Sequence, residues 1–139
     1  MATSARTRPL SPHLQIWKWG PHMLVSILHR ATGSGMATVG TVVLVWWLMA
    51  AASGAEAYAR FLDVFTVSSG GLNIVGYILL IGLTLSFFQH MLSGVRHLVM
   101  DVGANYELRS NKRSALLTMV GSILLTILLW AWILLGRGA

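Results

Sequence analysis

Three long stretches of this chain contain no lysine, arginine, aspartate or glutamate, and nothing else limits its fold so severely. They run from Ala31 to Ala55, from Val64 to Val95 and from Ser114 to Gly136. At 1.5 Å per residue, each helix these runs can support is long enough to cross about 30 Å of hydrocarbon. Water is absent from that layer, so every backbone group must be paired within its own segment, which selects helices over open strands. The expectation is an all-α membrane protein with spans at about 22–53, 71–99 and 114–136. They form one transmembrane anchor domain over residues 1–139, preceded by an extramembrane segment at 1–20. Three helices make a thin bundle, so a partner subunit is expected to complete it.

The rest of the composition agrees. Of 139 residues, 55% are hydrophobic and only 10% charged, against about a quarter charged in a soluble domain. There is no cysteine. This excludes disulfides, thiolate metal sites and the C-x-x-C-H attachment of c-type haem, and leaves histidine or methionine to hold any redox centre. The formal charge of +6 sits in short tracts beside apolar runs rather than on one solvated face. It therefore points to membrane orientation and not to nucleic acid. The first 20 residues hold two prolines and no apolar run of signal-peptide length, and read as a retained segment.

Loop charges set the orientation. Arg6, Arg8 and Lys18 precede span one, and Arg109, Lys112 and Arg113 lie between spans two and three. Between spans one and two, Arg60 is offset by Glu56 and Asp63. The positive-inside rule then puts the N-terminus and second loop inside and the C-terminus outside. Trp46, Trp47, Trp130 and Trp132 fall toward the outer ends, as an interfacial belt does.

Polar residues cluster at the inner ends: His22, Ser26, His29 and Arg30 on span one, and Gln89, His90, Arg96, His97 and Asp101 on span two. Ionisable groups at membrane depth are costly and face a cavity, a ligand or a protein interior. His90 is the deepest, and Gly82, Ser86 and Gly94 line up with it at steps of four. Such small residues leave room for a flat macrocycle, or form a plain helix-packing seam. His97 lies seven residues on, about 10 Å along the axis, so His90 and His97 cannot take opposite faces of one haem iron. A second ligand must come from another helix. An iron bound by two histidines has no open position and carries electrons. His97 and Asp101 are spaced to hydrogen-bond. Arg30 and Arg96 either snorkel to headgroups or hold anionic groups such as carboxylates. Ser26 and Arg30 present a hydroxyl and a cation on one face, suited to a quinone carbonyl, although a helical serine also bonds its own backbone.

Two longer patterns carry a resemblance. Arg8-Pro9-Leu10-Ser11-Pro12-His13-Leu14 is followed by Ser26-Ile27-Leu28-His29-Arg30-Ala31-Thr32-Gly33. Later comes His90-Met91-Leu92-Ser93-Gly94-Val95-Arg96-His97-Leu98-Val99-Met100-Asp101. Both, in this order and across three spans, resemble the succinate dehydrogenase cytochrome b556 subunit family. The resemblance implies a non-flavin subunit of a succinate:quinone oxidoreductase, in which succinate is oxidised on another chain. Its implied cofactor is haem b and its implied substrate ubiquinone. Its partners would be a smaller membrane-anchor subunit supplying the second haem ligand, an iron–sulfur subunit and a flavoprotein subunit. Matched by position, His90 would be the axial ligand of the haem iron, and His29, Arg30 and His97 would lie near the propionates. Ser26 and Arg30 would bind quinone. The implied location is the bacterial inner membrane with a cytoplasmic N-terminus. The competing readings are the anchor of a quinol:fumarate reductase and a haem-free structural membrane subunit.

Overall fold

The computed structural model of the chain describes residues 18–136. The Arg8–Leu14 part of the first motif and the N-terminal bases Arg6 and Arg8 lie outside the described residues. Four helices account for nearly all of the rest. Helix α1 covers Pro21–Ala52, α2 Ala55–Phe65, α3 Ile74–Asp101 and α4 Leu108–Gly136. Helices α1, α3 and α4 are each long and apolar enough to cross a membrane, with mean hydropathies of 1.7, 1.7 and 2.2 over their most apolar windows.

Each boundary has a local cause. Gly20 is extended, and Pro21 follows as the first helical residue, where a missing N–H costs nothing. Part-way along α1 the register loosens into a π turn at Met36–Gly40, inside which the Thr38 hydroxyl donates to the Ser34 carbonyl at 2.8 Å. Gly54, at φ +100°, turns the chain into α2. This short helix was not expected from the sequence. Phe61, buried, packs its ring edge-on against Trp46 of α1 at 4.9 Å and lies beside Phe65 at 5.1 Å. The link to α3 is a tight reversal with Gly70 at φ +81° and a lone bridge between Thr66 and Leu72. Asn73 closes it. Its Oδ1 accepts the Gly76 N–H at 2.9 Å and so caps α3, while its Nδ2 donates to the Val64 carbonyl of α2 at 2.9 Å.

The interior is small and polar, and the exterior is apolar. Helix α4 buries Ala115, Thr118, Ser122 and Thr126 at steps of three and four, whereas Leu117 and Leu128 stand exposed. Helix α3 buries Gly76, Gln89, Ser93 and Arg96. A soluble bundle would be the reverse. In lipid, helices gain nothing by burying leucine, and associate through close-packed small residues and interhelical hydrogen bonds. Gly121 provides one such approach: a Cβ there would lie 3.0 Å from Leu92 Cδ1. The Arg109, Lys112 and Arg113 group, read as loop, is the first turn and a half of α4. On the opposite side, Arg60 is ion-paired to Glu56 within α2, so that connection presents little free positive charge.

Candidate functional site

Three of the histidines singled out in the sequence meet where the N-terminal half of α1 crosses the C-terminal half of α3. His29 and His90 stack face to face, with ring centroids 4.0 Å apart and planes 8° from parallel. His97 is the other ring neighbour of His29, at 4.8 Å and 40°. Ser93 sits between them, wholly buried.

The hydrogen bonds fix the tautomers. The His90 Nδ1 lies 3.0 Å from the His29 carbonyl and the His97 Nδ1 lies 2.6 Å from the Ser93 carbonyl. A carbonyl only accepts, so both Nδ1 atoms carry a proton. The Ser93 hydroxyl spends its proton on the Gln89 carbonyl at 2.7 Å, so it accepts from His29 Nδ1, also at 2.7 Å. In the neutral ring each of the three therefore keeps a bare lone pair on Nε2. His97 does not use Asp101 as its partner. The Ser93 carbonyl, four residues back along the same helix, is closer to hand, and Asp101 is exposed at the helix end.

The remaining polar residues separate into two groups. Arg96, only 6% exposed, reaches across to α4: its Nε donates to Ser114 Oγ at 3.1 Å and its terminal nitrogen to Asn111 Oδ1 at 2.6 Å. It neither snorkels nor faces the histidines, because α4 offers two fixed oxygens where lipid would offer none. Gln89 also turns to α4, accepting from Ser122 Oγ at 2.8 Å. Ser26 and Arg30 instead lie in an open groove of about 350 Å³ on α1, together with Trp19, His22, Met23 and Ile27. There the Arg30 Nε donates weakly to the Ser26 carbonyl at 3.4 Å. The groove adjoins the histidine cluster along α1, since Ser26, His29, Arg30 and Gly33 follow the i, i+3, i+4, i+7 course of one helical face.

The small stripe on α3 does not make room for His90. A Cβ on Gly82 would meet nothing within 4 Å, and one on Gly94 would only touch His29 at 3.9 Å. The space comes from the facing helix at Gly33, where a Cβ would stand 2.7 Å from His90 Cε1. A glycine four residues after His29 was a visible signal, but only the packing tells which histidine it receives. Among the described residues no three histidine, cysteine or acidic side chains are placed to hold a metal ion by themselves.

Comparison with known proteins identifies a family. Residues 4–129 match the family described as succinate dehydrogenase/fumarate reductase transmembrane subunit. The chain is 35% identical over 121 residues to the succinate dehydrogenase cytochrome b556 subunit of Paracoccus denitrificans, covering 87% of this chain and 88% of that one. It is 32% identical over 123 residues to the cytochrome b556 subunit of Rickettsia felis, covering 88% and 90%. The mitochondrial cytochrome b560 subunit of Mus musculus is 35% identical over 101 residues, 72% of this chain and 56% of the mouse protein. On its three spans and these similarities, the chain belongs to the succinate dehydrogenase/fumarate reductase transmembrane subunit family.

Proposed function

We propose that the chain is the haem b-binding membrane anchor of a succinate dehydrogenase and forms part of its ubiquinone-reducing site. The observation that carries the haem reading is the bond from His90 Nδ1 to the His29 carbonyl. A metal-bound histidine characteristically donates its other ring N–H to a carbonyl or carboxylate, which fixes its orientation and raises its basicity. His90 meets that requirement and keeps Nε2 for iron.

His29 cannot serve as the opposite ligand. Its ring is stacked directly on that of His90, 4.0 Å away, which would leave no room for a macrocycle between the two. The second ligand then comes from another chain, the smaller anchor subunit. Haem b supplies a one-electron carrier beside the path to quinone. The cation of Arg30 suits the propionate side of the macrocycle, and His29 and His97, which border the same corner, would donate to a carboxylate from Nε2 only in the doubly protonated imidazolium form.

Ser26 and Arg30 are the quinone ligands in this reading. A hydroxyl and a guanidinium both donate to a quinone carbonyl oxygen, and the cation stabilises negative charge arriving there. Two electrons from the iron–sulfur subunit and two protons convert the quinone to quinol. Succinate itself is oxidised on the flavoprotein subunit. Arg109, Lys112 and Arg113 at this end of the bundle support, through the positive-inside rule, a cytoplasmic orientation in a bacterial inner membrane. Nothing in these residues sets the direction of electron flow, and the names of the relatives favour succinate oxidation over fumarate reduction.

A dithionite-reduced minus oxidised spectrum of the purified complex tests this. A b-type α-band that is lost or shifted in His90→Ala is the expected result. A wild-type complex without the band would sink the haem assignment and leave at most a haem-free anchor that binds quinone through Ser26 and Arg30.

A further inference from the structure

The His29 carbonyl is an unusual acceptor. It belongs to a helix, so its first lone pair takes the N–H of residue 33, four positions on. His90, reaching from α3 for the second lone pair, comes in over residue 33. The nearby Thr32 hydroxyl does not compete strongly, because its shorter bond is to the Leu28 carbonyl, at 2.7 Å against 3.1 Å to His29. His90 takes this approach from α3 and bonds the carbonyl through Nδ1 at 3.0 Å. Residue 33 is glycine, and a Cβ there would stand 2.7 Å from His90 Cε1 and 3.1 Å from Nδ1. The first distance is shorter than van der Waals contact permits, and both atoms belong to a ring that cannot bend.

We infer that Gly33 is a positioning residue for the haem ligand: its missing side chain lets His90 sit on α1 and donate Nδ1–H to the His29 carbonyl, which leaves Nε2 for iron. This rests on the reading of His90 as the axial ligand. A methyl group at 33 pushes the ring off the carbonyl, and the lost N–H bond removes both the orientation and the tautomer it holds. Gly33 is distinct from the other glycines of this helix. Gly35, two residues away, has nothing within 4 Å of its would-be Cβ. Both substitutions to alanine raise intrinsic helix propensity equally, so only contact with His90 separates them.

The test uses the full detergent-purified complex and reads haem per complex, α-band position and haem midpoint potential for wild type, Gly33→Ala and Gly35→Ala. Gly33→Ala is expected to hold haem about 10- to 100-fold more weakly, the usual effect of losing such an outer hydrogen bond, or to retain it with a shifted band and potential. Gly35→Ala should match wild type. Wild-type occupancy, band and potential in Gly33→Ala would overturn the inference while leaving His90 as ligand. No band in wild type would remove the haem reading and the inference together. Should Gly33→Ala assemble poorly, the same change in a His90→Ala background decides the matter through assembly yield alone. With the ring gone the methyl has nothing to strike, so the double variant should assemble as well as His90→Ala. A double variant that stays defective would make Gly33 a packing residue and defeat the inference.

Discussion

Ser122 of α4 donates its hydroxyl proton to Oε1 of Gln89 of α3 at 2.8 Å, with both side chains buried where the spans meet. Gln89 neighbours the proposed haem ligand in sequence, so this bond ties the helix that carries His90 to α4. Interhelical hydrogen bonds in membranes are worth about 0.6 kcal/mol on average and about 1.7 at most. Ser122→Ala should therefore destabilise the detergent-solubilised complex by about 1 kcal/mol, seen as a lowered dissociation temperature. Replacing both partners, Gln89→Leu with Ser122→Ala, should cost less than the sum of the two single changes, because no buried polar group is then left unpaired. Strict additivity in that cycle would show the bond to be without energetic weight.

Arg96 gives a second prediction. Its guanidinium spans Ser114 and Asn111 of α4 at once, a two-pronged geometry that an ammonium cannot copy. Arg96→Lys should lower the yield of assembled complex several-fold, and Arg96→Leu more so, because Asn111 and Ser114 lose their charged donor. In whatever complex does assemble, the haem band and potential should stay at wild-type values. A shifted potential with undiminished yield would return Arg96 to the haem propionates and contradict its placement against α4.

Particular residues explain how much of this was legible in advance. The three spans were plain because lipid tolerates so few charges that uncharged runs of this length have little other use. Helix α2 was missed although Tyr58, Phe61, Leu62 and Phe65 follow the i, i+3, i+4, i+7 course of an amphipathic helix. Its charges Glu56, Arg60 and Asp63 drew attention as loop markers instead. His29, His90 and His97 were singled out together, yet their stacking depends on the register of α1 against α3, which Gly33 and Ser93 set from opposite sides. Arg96 was misjudged for the same kind of reason. Its partners lie 15 and 18 residues on, around a turn whose Gly103 and Asn105 take positive φ, and no spacing rule links them.

Asn73 allows the end of the bundle remote from the histidines to be perturbed by itself. It caps α3 through Gly76 and holds the Val64 carbonyl of α2. Asn73→Ala should cost about 1 kcal/mol for the cap, with a further loss for the carbonyl it abandons. The complex should melt at a lower temperature while its haem spectrum and quinone reduction at ambient temperature stay unchanged. Altered quinone kinetics in that variant would mean that the two ends of the bundle are coupled, contrary to the local character of the Asn73 contacts.

Ser26 and Arg30 supply the sharpest functional prediction, because their groove is open and their side chains have few duties in the fold. Arg30 is exposed, and the hydrogen bond it makes within the chain is the weak one to the Ser26 carbonyl. Removing it should therefore leave assembly intact. A charge-assisted hydrogen bond to substrate contributes about 1.5–3 kcal/mol, so Arg30→Ala should lower kcat/KM for ubiquinone by about tenfold or more. Arg30→Lys keeps the charge but loses the fork, and should fall between wild type and alanine. Ser26→Ala loses a neutral donor and should fall less far than Arg30→Ala. Electron transfer from succinate to a soluble dye, which bypasses the quinone groove, provides the internal standard and should be the same in all four proteins. If dye reduction falls in parallel with ubiquinone reduction, the defect lies in docking of the hydrophilic subunits, and the groove is not the quinone site.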